Sequence, residues 1–229
     1  MTRGIGFVGI AAALLMPSHA GAAGQDGMRP IDPKTAQFNM YNFTDCVVRT
    51  EGDSAKFRAM MRIVPGDPQF VSSYIRTMAN ACGDQLSRLP SSAIQLKADP
   101  AAMRDLLFGA LYRRDFRKSG PPAGIATVAP LTLSSEFDGD VTRIDPDYRV
   151  RRAFGDCVAR HDPQDVNDLL VARPYSDGDN AAIGRLKPVL GACIPNGQTV
   201  RLTRDGLRED LGEAMYKLAL AARNAPPAG

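Results

Sequence analysis

The chain has 229 residues, 44% of them apolar, enough for a packed core and too many for global disorder. Its formal charge of +3 balances 28 basic against 25 acidic residues, which gives no electrostatic basis for binding nucleic acid or an anionic membrane surface. The absence of tryptophan and an aromatic content of 7% argue against a sugar cleft lined by stacking rings.

Residues 1–23 read as a secretory signal. Arg3 supplies the positive start, Ile5 to Met16 is apolar, and Pro17 precedes cleavage positions near Ala20 or Ala23. A membrane anchor needs about 20 apolar residues, so this run is too short for one. The expected product is periplasmic or secreted, with no transmembrane segment after cleavage and no nucleic-acid partner. Four cysteines follow the leader, and in an oxidising compartment an even number points to disulfides.

Residues 24–38 hold Gly, Asp, Pro and Gln without periodicity and read as a flexible lead. A first helical unit is expected over 39–118. Its opening helix, at 40–50, places Phe43, Cys46 and Val47 on one face and Asp45 and Arg49 on another. Asp53 caps a second helix that reaches Ile63 and stops at Pro65-Gly66. Asp67-Pro68 starts a third, where Val71, Ile75, Met78 and Cys82 form the stripe that buries the cysteine. Ala93 to Lys97 alternates like a short strand. Asp99-Pro100 opens a fourth helix with Met103, Leu106, Leu107, Ala110 and Leu111 facing inward, and Arg113, Arg114, Arg117 and Lys118 at its C-terminal end.

Residues 119–144 read as a linker that begins at Ser119-Gly120-Pro121-Pro122 and holds a brief extended piece at 125–133. A second helical unit over 145–223 follows the same grammar, ahead of a tail at 224–229. Asp145-Pro146 caps a helix with Val150, Phe154, Cys157 and Val158; Asp162-Pro163 caps one with Val166, Leu169 and Leu170. Residues 176–179 start a third helix, with Ile183, Leu186, Val189, Leu190 and Cys193 inward and Pro188 expected to kink or split it. Thr199 to Thr203 is the matching strand candidate, and Asp205 caps the last helix.

The two units are similar in sequence. Phe43-Thr44-Asp45-Cys46-Val47-Val48-Arg49 reappears as Phe154-Gly155-Asp156-Cys157-Val158-Ala159-Arg160, and each is followed at the same interval by a second cysteine, Cys82 or Cys193. Ala110-Leu111-Tyr112-Arg113 matches Ala214-Met215-Tyr216-Lys217. The expected fold is mostly α: two tandem similar repeats, each helix–helix–helix–short strand–helix, with the two strand candidates pairing between repeats. Of the three connectivities open to four cysteines, only Cys46–Cys82 with Cys157–Cys193 closes each repeat on itself.

Catalytic motifs are absent. No G-x-S-x-G, S-x-x-K, H-E-x-x-H, P-loop or G-x-G-x-x-G occurs after the leader. With the cysteines in bridges, no C-x-x-C spacing and His161 the one histidine past the leader, no metal, cofactor or thiol nucleophile is expected. Six residues remain as candidate binding positions. Asp45 and Asp156 form either a carboxylate pair across the repeats or ordinary helix-face pairs with Arg49 and Arg160. Tyr112 and Tyr216 either anchor helix ends to backbone or touch a ligand. The basic stretches 113–118 and 149–152 read as solvated faces.

Phe-Gly-Asp-Cys-Val-Ala-Arg at 154–160, Leu-Gly-Ala-Cys-Ile-Pro-Asn-Gly-Gln-Thr-Val-Arg-Leu at 190–202 and Leu-Arg-Glu-Asp-Leu-Gly-Glu-Ala-Met-Tyr at 207–216 resemble a group of uncharacterised exported bacterial proteins. These carry a signal peptide and one or two cysteine-paired units. The resemblance implies no activity, substrate or site residue. The expected function is partner binding or a structural role in the bacterial envelope, through an envelope protein or small ligand; the alternative is an envelope hydrolase using Asp45 and Asp156.

Overall fold

An aspartate followed by proline starts several of these helices, because the carboxylate caps the first free N–H groups while proline is already fixed at a helical φ. Asp32, Asp145 and Asp162 accept from the backbone N–H of Thr35, Asp147 and Asp165, with Pro33, Pro146 and Pro163 behind them. The computed structural model describes residues 32–78, 81–82, 100–194, 197–198 and 202–225. The leader 1–23 and the strand candidate 93–97 lie outside the described residues, as does most of the candidate at 199–203.

Nine α-helices occur among the described residues. They are α1 Pro33–Glu51, α2 Ala55–Met61, α3 Pro68–Met78, α4 Pro100–Phe116, α5 Leu133–Glu136, α6 Pro146–His161, α7 Pro163–Val171, α8 Asp177–Ala192 and α9 Arg204–Asn224. The fold is therefore mostly helical, and both expected disulfides are present, Cys46–Cys82 and Cys157–Cys193. Each ties the first helix of its half to a cysteine beyond the end of the third. No strand occurs among the described residues; Leu202 and Thr203 are coil, and Thr203 caps α9 where Asp205 was expected to.

Several boundaries differ from the sequence reading. Residues 33–38 are not lead but the first turns of α1, which Asp32-Pro33 opens with the signal already recognised further along. Ser54, not Asp53, caps α2. Helix α8 runs unbroken through Pro188, and α9 reaches into the expected tail as far as Asn224.

The region 119–144 holds no extended piece at 125–133 but a 3₁₀ turn at Ile125–Thr127 and α5, followed by a second 3₁₀ turn at Val141–Arg143. It buries Ile125, Phe137 and Ile144, so it is a packed strap rather than a free linker.

Helix α3 departs most. Val71 and Ile75, expected to face the core, are 41% and 59% exposed, while Phe70 is buried and Tyr74 packs beside it. Cys82 has φ +59° and so is not part of a helix that continues the Val71–Ile75 stripe. The bridge constrains the cysteine; it does not dictate which face of α3 the two aromatic rings turn inward.

Two large apolar clusters form most of the core, with a smaller third around Val64, Phe137, Ile144 and Tyr148. One gathers α1 to α4 around Phe43, Val47, Phe57, Met60, Leu107 and Leu111, and the other gathers α6 to α9 around Phe154, Val158, Leu169, Leu186, Leu211 and Met215. The two large clusters meet along α4 and α9, whose contact is the most extensive among the described helices. Glycines allow that approach: a Cβ on Gly212 would lie 3.1 Å from the Cα of Gly109. Where α6 crosses α9, a Cβ on Gly155 would lie 2.5 Å from the carbonyl oxygen of Asp210, closer than packed atoms tolerate.

Candidate functional site

The α4–α9 seam carries a run of buried charge. Arg104 on α4 is 1% exposed and Glu213 on α9 is 4% exposed; their side chains meet at 3.0 Å. Tyr148 donates to the same Glu213 carboxylate at 2.8 Å, and the Lys217 ammonium pairs with it at 2.7 Å. Lys217 also reaches Glu136 on α5, which Arg152 of α6 holds at 2.8 Å. The network thus joins α4, α5, α6 and α9, and the strap earns its place in the fold partly through Glu136.

Burial shifts these groups in different directions according to their partners. Burial works to raise the Glu213 carboxyl, but Arg104 and Lys217 outweigh it and hold the group well below its ordinary range. Burial pushes the Lys217 ammonium down, and Glu213 and Glu136 oppose that shift. Asp105, beside Arg104, is pushed up to about 7 by burial and then by Glu213. Glu209 is pushed up to about 8, first by burial and then by Asp105. The Nε of Arg104 has no hydrogen-bond partner among the described residues, and its guanidinium instead lies against the rings of Phe108 at 4.8 Å and Phe137 at 5.0 Å.

One side of this network opens into a cavity of about 580 Å³ between α2, α4, α5 and α9. Phe57, Met61, Phe108, Leu111, Leu131 and Leu220 give it an apolar floor. Five cations line it, Arg58, Arg62, Arg114, Lys217 and Arg223, against the three acids Asp53, Asp115 and Glu136. Arg62 is held by Asp138, and Arg114 by Asp115 at 2.6 Å. Arg223 has no carboxylate partner among the described residues and lies over the Phe116 ring at 5.0 Å. The size and mixed lining suit a small ligand with an apolar body and a negative end. Among the described residues neither histidine nor cysteine lines the cavity wall, and its lysine is committed to two carboxylates.

The residues singled out from sequence fall in separate places. Asp45 does not pair with Arg49 on its own helix: it pairs with Arg113 of α4 at 2.7 Å, and Arg49 is exposed. Arg113 is therefore no solvated helix-end cation; it is 7% exposed and lies over the Tyr41 ring at 3.9 Å. Asp156 does pair with Arg160, at 2.6 Å, and Arg160 also donates to the Val128 carbonyl of the strap. Each carboxylate is thus taken up by arginine, and neither lines the cavity between α2, α4, α5 and α9.

Tyr112 is fully buried and donates to Asn167 of α7 at 2.9 Å; Tyr216 lines the cavity and donates to Asp115 of α4 at 3.2 Å. Both hydroxyls bind side chains across the two halves instead of backbone at their own helix ends. Burial, then Asp115, pushes the Tyr216 phenol up to about 12, so it stays a donor. His161 is exposed at the end of α6, with an imidazole nitrogen within 4.8 Å of both Cys157 and Cys193 Sγ atoms.

Sequence reasoning missed Arg104, Glu136, Glu213 and the buried role of Lys217. A signal existed for the arginine: Met103-Arg104-Asp105 matches Leu207-Arg208-Glu209, and both arginines sit beside an apolar stripe. No comparable pattern marked Glu136, whose burial depends on how the strap folds back.

A scan against protein-family models, a search of curated proteins and a search of solved structures found no match to this chain.

Proposed function

We propose that this is an exported, non-enzymatic binding protein of the bacterial envelope, built on two related helical units, whose ligand site is the cavity between α2, α4, α5 and α9. One observation carries the reading. An apolar floor of aromatic and aliphatic side chains lies beneath five cations and three acids, and Arg223 has no acidic partner among the described residues. The preferred ligand is an amphipathic anion, such as a carboxylate or sulfonate on an apolar body, presented freely or by an envelope partner.

Two disulfides fit an oxidising compartment, and no helix among the described residues is long and apolar enough to cross a membrane. The two-unit reading is supported by a correspondence the cysteines do not supply. Arg104 donates to the carbonyl of Met61 at the end of α2, and Arg208 donates to that of Ala172 at the end of α7. Counted from the two Phe-x-Asp-Cys segments, these acceptors stand at the same position.

The test is a fluorescence titration of the oxidised protein with anilinonaphthalene sulfonate, an amphipathic anion. Saturable binding at one site per chain, weakened about tenfold by Arg223→Glu, is the expected result; tenfold corresponds to about 1.4 kcal/mol, the scale of one charge contact. Absence of saturable binding, or binding indifferent to the substitution, would remove the cavity from consideration.

A further inference from the structure

We propose that reduction of the Cys157–Cys193 bridge exposes a zinc site made by Cys157, Cys193 and His161. Cys157 and His161 are one helical turn apart on α6 and so share a face, and Cys193 meets them from the end of α8. One ligand atom from each residue lies within 4.8 Å of the other two. Zinc takes thiolate sulfur at about 2.3 Å and imidazole nitrogen at about 2.0 Å in a tetrahedron, which sets the ligand atoms roughly 3.5–4 Å apart. The nitrogen lies within 4.8 Å of both sulfurs, so a small side-chain movement brings it into range, and the sulfurs separate once their bond is broken.

The donor set is also of the right kind. Two thiolates and a neutral imidazole are soft or borderline ligands that suit zinc over magnesium or calcium. His161 is exposed, so the fourth position faces solvent, as in sites where three protein ligands hold the metal and water completes the shell. In the oxidised protein the sulfurs are bonded to each other and the site does not exist, so metal and bridge exclude one another.

The other bridge supplies an internal control. At the position that matches His161, the first half has Thr50, whose hydroxyl lies 3.8 Å from Cys82 Sγ and donates to the Cys46 carbonyl. A neutral hydroxyl is a poor zinc ligand, so among the described residues reduction of Cys46–Cys82 leaves two thiols without a third donor.

The chemistry balances with a phosphine as reductant. The phosphine takes an oxygen atom from water to become its oxide, the S–S bond breaks, and the two protons of water end on the two sulfurs. Zinc then displaces both thiol protons to solvent and binds the thiolates.

The experiment uses the full chain under anaerobic conditions, with a water-soluble phosphine and Co²⁺ as a spectroscopic stand-in for Zn²⁺. The reduced protein is expected to bind one cobalt per chain with thiolate-to-metal charge-transfer bands, and the oxidised protein none. His161→Ala, a change at an exposed position, is expected to weaken binding by about tenfold or more. Thr50→His is expected to add a second equivalent at the first bridge. Far-UV circular dichroism reports whether helices persist. No cobalt bound on reduction, affinity unchanged in His161→Ala, or a reduced chain that loses its helices and does not regain them with Zn²⁺ would each overturn the proposal.

Discussion

The first half of the molecule, α1 to α4, and the second, α6 to α9, present their helices in the same order but bury different faces of the third. In α8, Ala182 and Leu186 are fully buried. The residues that stand at the same places in α3, Val71 and Ile75, are exposed, and the neighbours Phe70 and Tyr74 pack inward instead. Two bridges of equal span, 36 residues each, therefore tolerate two helix orientations. What remains alike lies deeper. Arg104 and Arg208 each bring a charge into the core to satisfy carbonyls at the C-terminal end of α2 or α7, where the helix dipole favours a cation. Side-chain volume decides the orientation of an outer helix; buried hydrogen bonding holds the inner frame.

The largest effect should come from that frame. Arg208 donates to the carbonyls of Leu169, Leu170 and Ala172 and pairs with Asp179, which is fully buried. Arg208→Ala should cost about 3–5 kcal/mol in urea unfolding, because it leaves three carbonyls without their donor and takes one of two arginines from buried Asp179, which keeps Arg204. Arg104→Ala should cost less, since it frees one carbonyl, that of Met61, while Glu213 keeps Lys217 and Tyr148 as partners. A reversed order would break the comparison between the two arginines.

The next effect separates the third helices. Leu186→Ala removes a fully buried side chain and should cost about 2–5 kcal/mol, whereas Ile75→Ala should stay within about 0.5 kcal/mol. Equal losses at the two positions would mean that α3 and α8 bury the same face after all.

The smallest effect is a dependence on pH. Glu209 is raised from 4.5 to about 8, so in that window the folded chain keeps a proton that the unfolded chain has released. The resulting stability is fully present below pH 4.5 and is lost as pH rises through about 8. Asp105, raised to about 7, acts in the same direction. Glu213, lowered mainly by Arg104 and Lys217 against its burial, acts in the opposite one, its contribution disappearing in strong acid. Glu209→Gln should shrink the difference between urea midpoints at pH 5 and pH 8, an effect on the order of 1 kcal/mol once solvent screening of this partly exposed side chain discounts the full shift. A difference of unchanged size would show that Glu209 titrates normally.

Local signals made much of the fold legible. The Asp-Pro pairs at 145 and 162 placed their helix starts, and the cysteine spacing fixed both bridges. The same signal at Asp32-Pro33 went unused because the residues before it carry no periodicity. Periodicity failed at α3, where two interleaved stripes, Val71 with Ile75 and Phe70 with Tyr74, compete and the larger rings prevail. The candidate site was hardly visible. Asp45 and Arg49 satisfy the helix-face rule, yet Arg113 of another helix takes the carboxylate, and partners that far apart in sequence leave no local trace.

The close crossing of Gly109 and Gly212 bears on the order in which the chain acquires structure. Helix α9 packs on α4, α6 and α7, so it is the strut for both halves, and it is made about a hundred residues after α4. Until then α4 has its own apolar cluster on one side and nothing to cover Arg104 on the other. Contacts between residues about a hundred positions apart form late and slowly. The two halves therefore join through α4 and α9 only once both have been made.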